Sequence, residues 1–114
     1  MKKIIIDTDP WVDDALAIMF AIKNKTEILW LTTVFWNADI ENTSKNALKI
    51  LSILNSKIPV YKWLEKPLKV KNILAKSHGV WWFGWYDMNL SNKLEKQDAI
   101  SFLIETLENS QEKI

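Results

Sequence analysis

The chain has 114 residues, 48% of them hydrophobic, no cysteine, and 15 Lys and Arg against 14 Asp and Glu for a net charge of +1. That length holds one modest domain; the balanced charge excludes the strong field of a nucleic-acid or anionic-membrane binder, and the lack of cysteine excludes disulfides and thiolate metal sites. No apolar run approaches the ~20 residues of a membrane span, and the isoleucines at 4–6 are too short a run for a signal peptide, so a soluble, cytoplasmic protein is expected.

Residues 3–7 read as a short buried strand, three isoleucines between a lysine and an acidic turn. Residues 13–23 read as a helix with Val12, Ala15, Leu16, Met19 and Ile22 at helical spacing, and Ile18 and Phe20 widening the apolar face. Residues 27–34 are aliphatic and β-branched, a second strand. Residues 38–55 form a long helix with Ile40, Ala47, Leu48, Leu51 and Leu54 on one stripe. A third strand is expected at 58–61, with Pro59 near its start. From 62 to 96 the periodicity fades over a length that usually marks a functional loop or lid. Helical spacing returns at 97–109 through Ala99, Phe102, Leu103, Thr106 and Leu107. Strand and helix alternate, which predicts an α/β fold with a mostly parallel open sheet, flanking helices and right-handed crossovers.

Four carboxylates, Asp7, Asp9, Asp13 and Asp14, fall within eight residues across a strand end and a helix start. Ligands bind at that end of open α/β sheets. One or two of the acids are explained as helix caps or dipole partners. Four packed together repel unless a cation lies among them, and carboxylate oxygens suit Ca²⁺ or Mg²⁺. Both readings stand at this level.

The segment Asp7-Thr8-Asp9-Pro10-x-Val12-Asp13-Asp14-Ala15-x-Ala17-Ile18 resembles the N-terminal signature of the inosine/uridine-preferring nucleoside hydrolases. Leu31 to Asn37, Asn42-Thr43 to Asn46-Ala47-Leu48, Pro59 to Leu68, and His78-Gly79 to Gly84 resemble four further family segments, in order. The resemblance implies the Rossmann-like fold of that family and hydrolysis of the N-glycosidic bond of a ribonucleoside around a held Ca²⁺. It implies Asp9 and Asp14 as metal ligands, Asp9 also as general base for the metal-bound water, and His78 on the side of the leaving base. Asp13 and Asn37 would bind ribose hydroxyls, and Asp7 would support the ligand acids. Read without the family, His78 is one polar-loop histidine, an ordinary solvated residue. The resemblance further implies a homo-oligomer, dimer or tetramer, at full length, and a family domain that continues past Ile114. Residues 1–114 are therefore expected to be the N-terminal portion of a single truncated domain, with part of a Ca²⁺ shell and no activity alone.

Glycine is scarce, since average usage of about 7% gives roughly eight in this length, and there are two beside seven tryptophans. Trp11, Trp36, Trp63 and Trp82 fall where the family pattern has glycine, and Trp30 and Trp85 where glycine is frequent; Trp81 has no counterpart. Tryptophan at turns that need close backbone approach or positive φ is expected to prevent folding. UGA codons meaning glycine but read as tryptophan explain deficit, excess and positions together; UGG at most of the seven would exclude this. The alternative is an aromatic platform for sugars or bases.

Two other functions compete. Asp7-x-Asp9 after a strand also resembles the haloacid-dehalogenase phosphatases, although position 11 and the Asp13-Asp14 pair depart from that pattern. A non-catalytic Ca²⁺ and ribose binding domain is the third reading.

Overall fold

The computed structural model describes residues 2–35, 39–63, 89–111 and 114. In chain order these form β1 (Lys3–Thr8), α1 (Val12–Lys23), β2 (Glu27–Thr33), α2 (Ile40–Ile53), β3 (Val60–Lys62) and α3 (Ala99–Asn109). The strands lie in the order β1-β2-β3 and both pairs are parallel. All three carboxyl ends therefore point the same way, as the expected α/β fold requires.

Two apolar layers cover the sheet. On one face Ala15 and Ile18 of α1 and Ala47, Leu48, Ile50 and Leu51 of α2 bury Leu31 and Val60, with Ile6 and Ile28 packed alongside. On the other, Ala99, Phe102 and Leu103 of α3 pack with Ile5, Leu29, Trp30 and Tyr61. Two crossovers of one hand, stepping in one direction, place α1 and α2 together.

Leu29 and Trp30 are neighbours in sequence yet share the α3 face. The pairing explains this: Ile4 opposes Ile28 while Ile5 opposes Trp30, so one extra residue of β2 is bulged there. Without the bulge, strand alternation would turn one of the two toward α2. Trp30 then meets Phe102 edge-on, with centroids 4.9 Å apart, and Tyr61 stacks on Phe102 at 3.7 Å.

The helix boundaries differ from expectation for local reasons. α2 and α3 begin after Asp39 and Asp98, whose carboxylates accept from the backbone N–H groups of Asn42 and Ser101; the caps end the helical run two residues inside the expected starts. In α1 the expected stripe is only half right. Ala15 and Ile18 are buried, but Val12, Leu16 and Phe20 are exposed by 51%, 63% and 71%. They recur every four residues and form an apolar flank of their own.

None of the described tryptophans has a positive φ. Trp11 has φ −105° and ψ −172°, extended backbone open to any residue. The positive φ values among described residues belong to Lys25 and Asn55. Each follows a helix end in a Schellman arrangement, with Thr26 N–H donating to the Ala21 carbonyl and Ser56 N–H to that of Leu51. The cost of the large rings appears instead as buried polar atoms: the indole N–H groups of Trp30 and Trp63 have no hydrogen-bond partner among the described residues. Trp36, Trp81, Trp82 and Trp85 lie outside the described residues.

Candidate functional site

β1 delivers the acidic turn to the carboxyl edge of the sheet. Pro10 disfavours helical backbone at the residue before it, and α1 starts only at Val12, after Trp11 as N-cap. The Trp11 side chain makes no capping bond at this helix start, and the first intrahelical bond runs from Ala15 N–H to the Trp11 carbonyl. Asp13 and Asp14 lie in its first turn. They are thus dipole partners of the helix rather than caps, in contrast to Asp39 and Asp98 at the other two helices.

The four acids do not share one environment. Asp7 accepts a 2.6 Å hydrogen bond from the Thr32 hydroxyl across the β1–β2 pair and is otherwise exposed. Asp13 is exposed, while Asp9 and Asp14 are half-buried. Successive helical residues differ by about 100° in direction, so Asp13 and Asp14 cannot face one point equally. Among the described residues no group of three His, Cys, Asp or Glu is arranged to hold a metal ion. The donors suit a hard cation in kind, and Thr8 Oγ1, buried without a partner among the described residues, is another oxygen at the same strand end. They do not suffice in number, since Ca²⁺ takes about 6–8 oxygens.

A polar layer supports the turn from below. Thr33 and Ser44 hydroxyls lie 2.8 Å apart, Val34 N–H donates to the Thr8 carbonyl, and the Asn46 amide donates to the Pro10 carbonyl at 3.1 Å. Thr32, Thr33, Ser44 and Asn46 are all buried, whereas the equally buried Thr43 donates its hydroxyl to the Ile40 carbonyl within α2 and does not reach the turn. Sequence reasoning did not assign these residues a place at the site. The available signal was a run of small polar side chains on the inward side of α2, where an apolar stripe alone would be expected. Asn37 and His78, the expected ribose and base-side residues, lie outside the described residues.

A groove lined by Lys57, Ile58, Ser91, Asn92 and Lys93 opens beside the start of β3. It is at the opposite end of the parallel sheet from the acids, so the two are separate features.

Residues 4–114 match the family model described as inosine-uridine preferring nucleoside hydrolase. The chain is 37% identical over 114 residues to uridine nucleosidase 1 of Arabidopsis thaliana, covering 94% of this chain and 33% of that protein. It is 34% identical over 109 residues to the pyrimidine-specific ribonucleoside hydrolase RihB of Escherichia coli, covering 93% and 35%. Among solved structures, an inosine-guanosine nucleoside hydrolase superposes with a TM-score of 0.87 at 28% identity, over 99% of this chain and 36% of that one. The chain spans about a third of the length of the relatives it matches. No helix among the described residues is long and apolar enough to cross a membrane.

Proposed function

Because the chain belongs to the inosine-uridine preferring nucleoside hydrolase family, we propose that its acidic turn is the ribose-facing part of a site that hydrolyses a ribonucleoside to free base and ribose. The observation that carries this reading is the placement of Asp9, Asp13 and Asp14 around the start of α1, at the carboxyl end of the sheet. Residues 1–114 form the N-terminal portion of a single hydrolase domain in this reading.

Each acid takes a role suited to its setting. Asp9, half-buried, accepts a proton from the attacking water as general base. The water oxygen bonds to the anomeric carbon, the N-glycosidic bond breaks through an oxocarbenium-like transition state, and the bond electrons leave with the base. Asp13, exposed, accepts hydrogen bonds from ribose hydroxyls, joined by Asn37. His78 belongs on the leaving-base side. Asp7, tied to Thr32, holds the strand end from which Asp9 departs. Asp9 and Asp14 would hold a Ca²⁺, which when bound polarises water and neutralises their repulsion. The relatives' names divide between pyrimidine and purine nucleosides, so ribose is the element we assign to these residues.

Two carboxylates are a small part of a Ca²⁺ shell, and the 114-residue chain is accordingly expected to bind the ion weakly and to turn over no nucleoside alone. Calorimetric titration with Ca²⁺ and then ribose tests the first point. Heat that disappears in Asp9→Asn and Asp14→Asn, with ribose binding only when Ca²⁺ is present, supports the site. Incubation with inosine or uridine tests the second, and base release by the purified chain would overturn it. Burst release from a phosphate ester would instead support the phosphatase alternative.

A further inference from the structure

Asn46 is only 1% exposed, in the middle of α2. A buried amide costs free energy unless its polar atoms are bonded, and this one donates its Nδ2 hydrogen to the Pro10 carbonyl, 36 residues away in sequence. Pro10 is itself fully buried and links Asp9 to the N-cap of α1. Its ring already fixes φ. A hydrogen bond on its carbonyl restrains ψ, the remaining soft dihedral. With both set, the direction in which the chain leaves Asp9 and the start of α1, which carries Asp13 and Asp14, are referenced to α2. The other side of the turn is held independently, by Val34 N–H on the Thr8 carbonyl.

We propose that Asn46 is a positioning residue for the acidic turn: by clamping the Pro10 carbonyl it sets the spacing of Asp9 from Asp13 and Asp14. The proposal rests on the cation and ribose reading given above. Asn46 touches no substrate in it and acts through Pro10.

The test measures affinity of the full chain for Tb³⁺ alone, a hard Ca²⁺ surrogate, by tryptophan-sensitised luminescence. Asn46→Leu removes the donor at similar volume and is expected to weaken Tb³⁺ binding about 10–100-fold, the usual effect of losing a partner behind a metal ligand. Thr43→Val is the control, since Thr43 is buried on the same helix but its hydroxyl donates to Ile40 within α2. It is expected to lower stability while leaving affinity within about twofold. Asn46→Ala serves where Asn46→Leu fails to fold, as it cannot overpack the site. Folded Asn46 variants that bind Tb³⁺ like the parent overturn the proposal and leave the cation site standing. Equal loss in Thr43→Val, or failure of both Asn46 variants to fold, assigns Asn46 a structural role and also overturns it. A parent chain with no Tb³⁺ affinity overturns the cation reading itself, and this proposal with it.

Discussion

Replacing Trp30 by glycine sets two effects against each other. The buried ring removes about 150–250 Å² from water, worth about 4–6 kcal/mol at about 25 cal/mol per Å². Its edge-on contact with Phe102 adds about 0.5–1.5 kcal/mol, and a glycine inside a strand costs a further ~0.5–1 kcal/mol. In the other direction, the Trp30 indole N–H is buried without a partner among the described residues, and deleting it returns about 1–3 kcal/mol. The net is a loss of about 2–7.5 kcal/mol, centred near 5 kcal/mol, at the upper end of other large-to-small core changes. Urea unfolding followed by far-UV circular dichroism measures it, because fluorescence would change with the fluorophore. With a slope of about 1–3 kcal/mol per M, the midpoint should fall by about 2 M. A Trp30→Gly chain as stable as the parent, or more so, would refute the packing argument. It would make glycine the residue this strand is built around, in agreement with UGA codons read as tryptophan.

Phe20→Glu should change folding stability by no more than about 0.5 kcal/mol, the usual range for an exposed position away from structural features. It should also reduce concentration-dependent self-association in sedimentation, since Val12, Leu16 and Phe20 form an exposed apolar flank; unchanged association would show that flank to be inert. Backbone and side-chain hydrogen bonds from Ser101 hold the Asp98 carboxyl below the usual aspartate range. Its contribution is therefore fully present above the unfolded-state value and is lost as pH falls through the lower folded value. Helicity at 222 nm should decline in that acid window, and less so in Asp98→Asn, which still caps but does not titrate; identical acid profiles would remove Asp98 as a cause.

Much of the fold was legible because it depends on local periodicity. The isoleucines of β1, the β-branched run of β2 and the apolar stripe of α2 each name their element without reference to neighbours. Asp39 and Asp98 are helix caps by virtue of their bonds to the Asn42 and Ser101 N–H groups, which residue type alone does not specify. Asp13 and Asp14 have the same local appearance yet cap nothing, because α1 begins before them. The apolar surface of α1 was legible as apolar, but the sheet decided which part is covered. Ala15 and Ile18 face strands, while Val12, Leu16 and Phe20 do not.

By itself the sequence determined the alternation of strand and helix, the family, and the acids that end β1, since all of these are patterns of residue type along the chain. Tertiary structure decided how the turn is held. The contacts of Asp7 with Thr32 and of Pro10 with Asn46 join residues 25 and 36 positions apart, and no periodicity encodes such pairs. It also decided where the tryptophans stand. Trp11 rests on extended backbone, and the β2 bulge turns Trp30 toward α3, because backbone geometry rather than residue size sets which positions demand glycine.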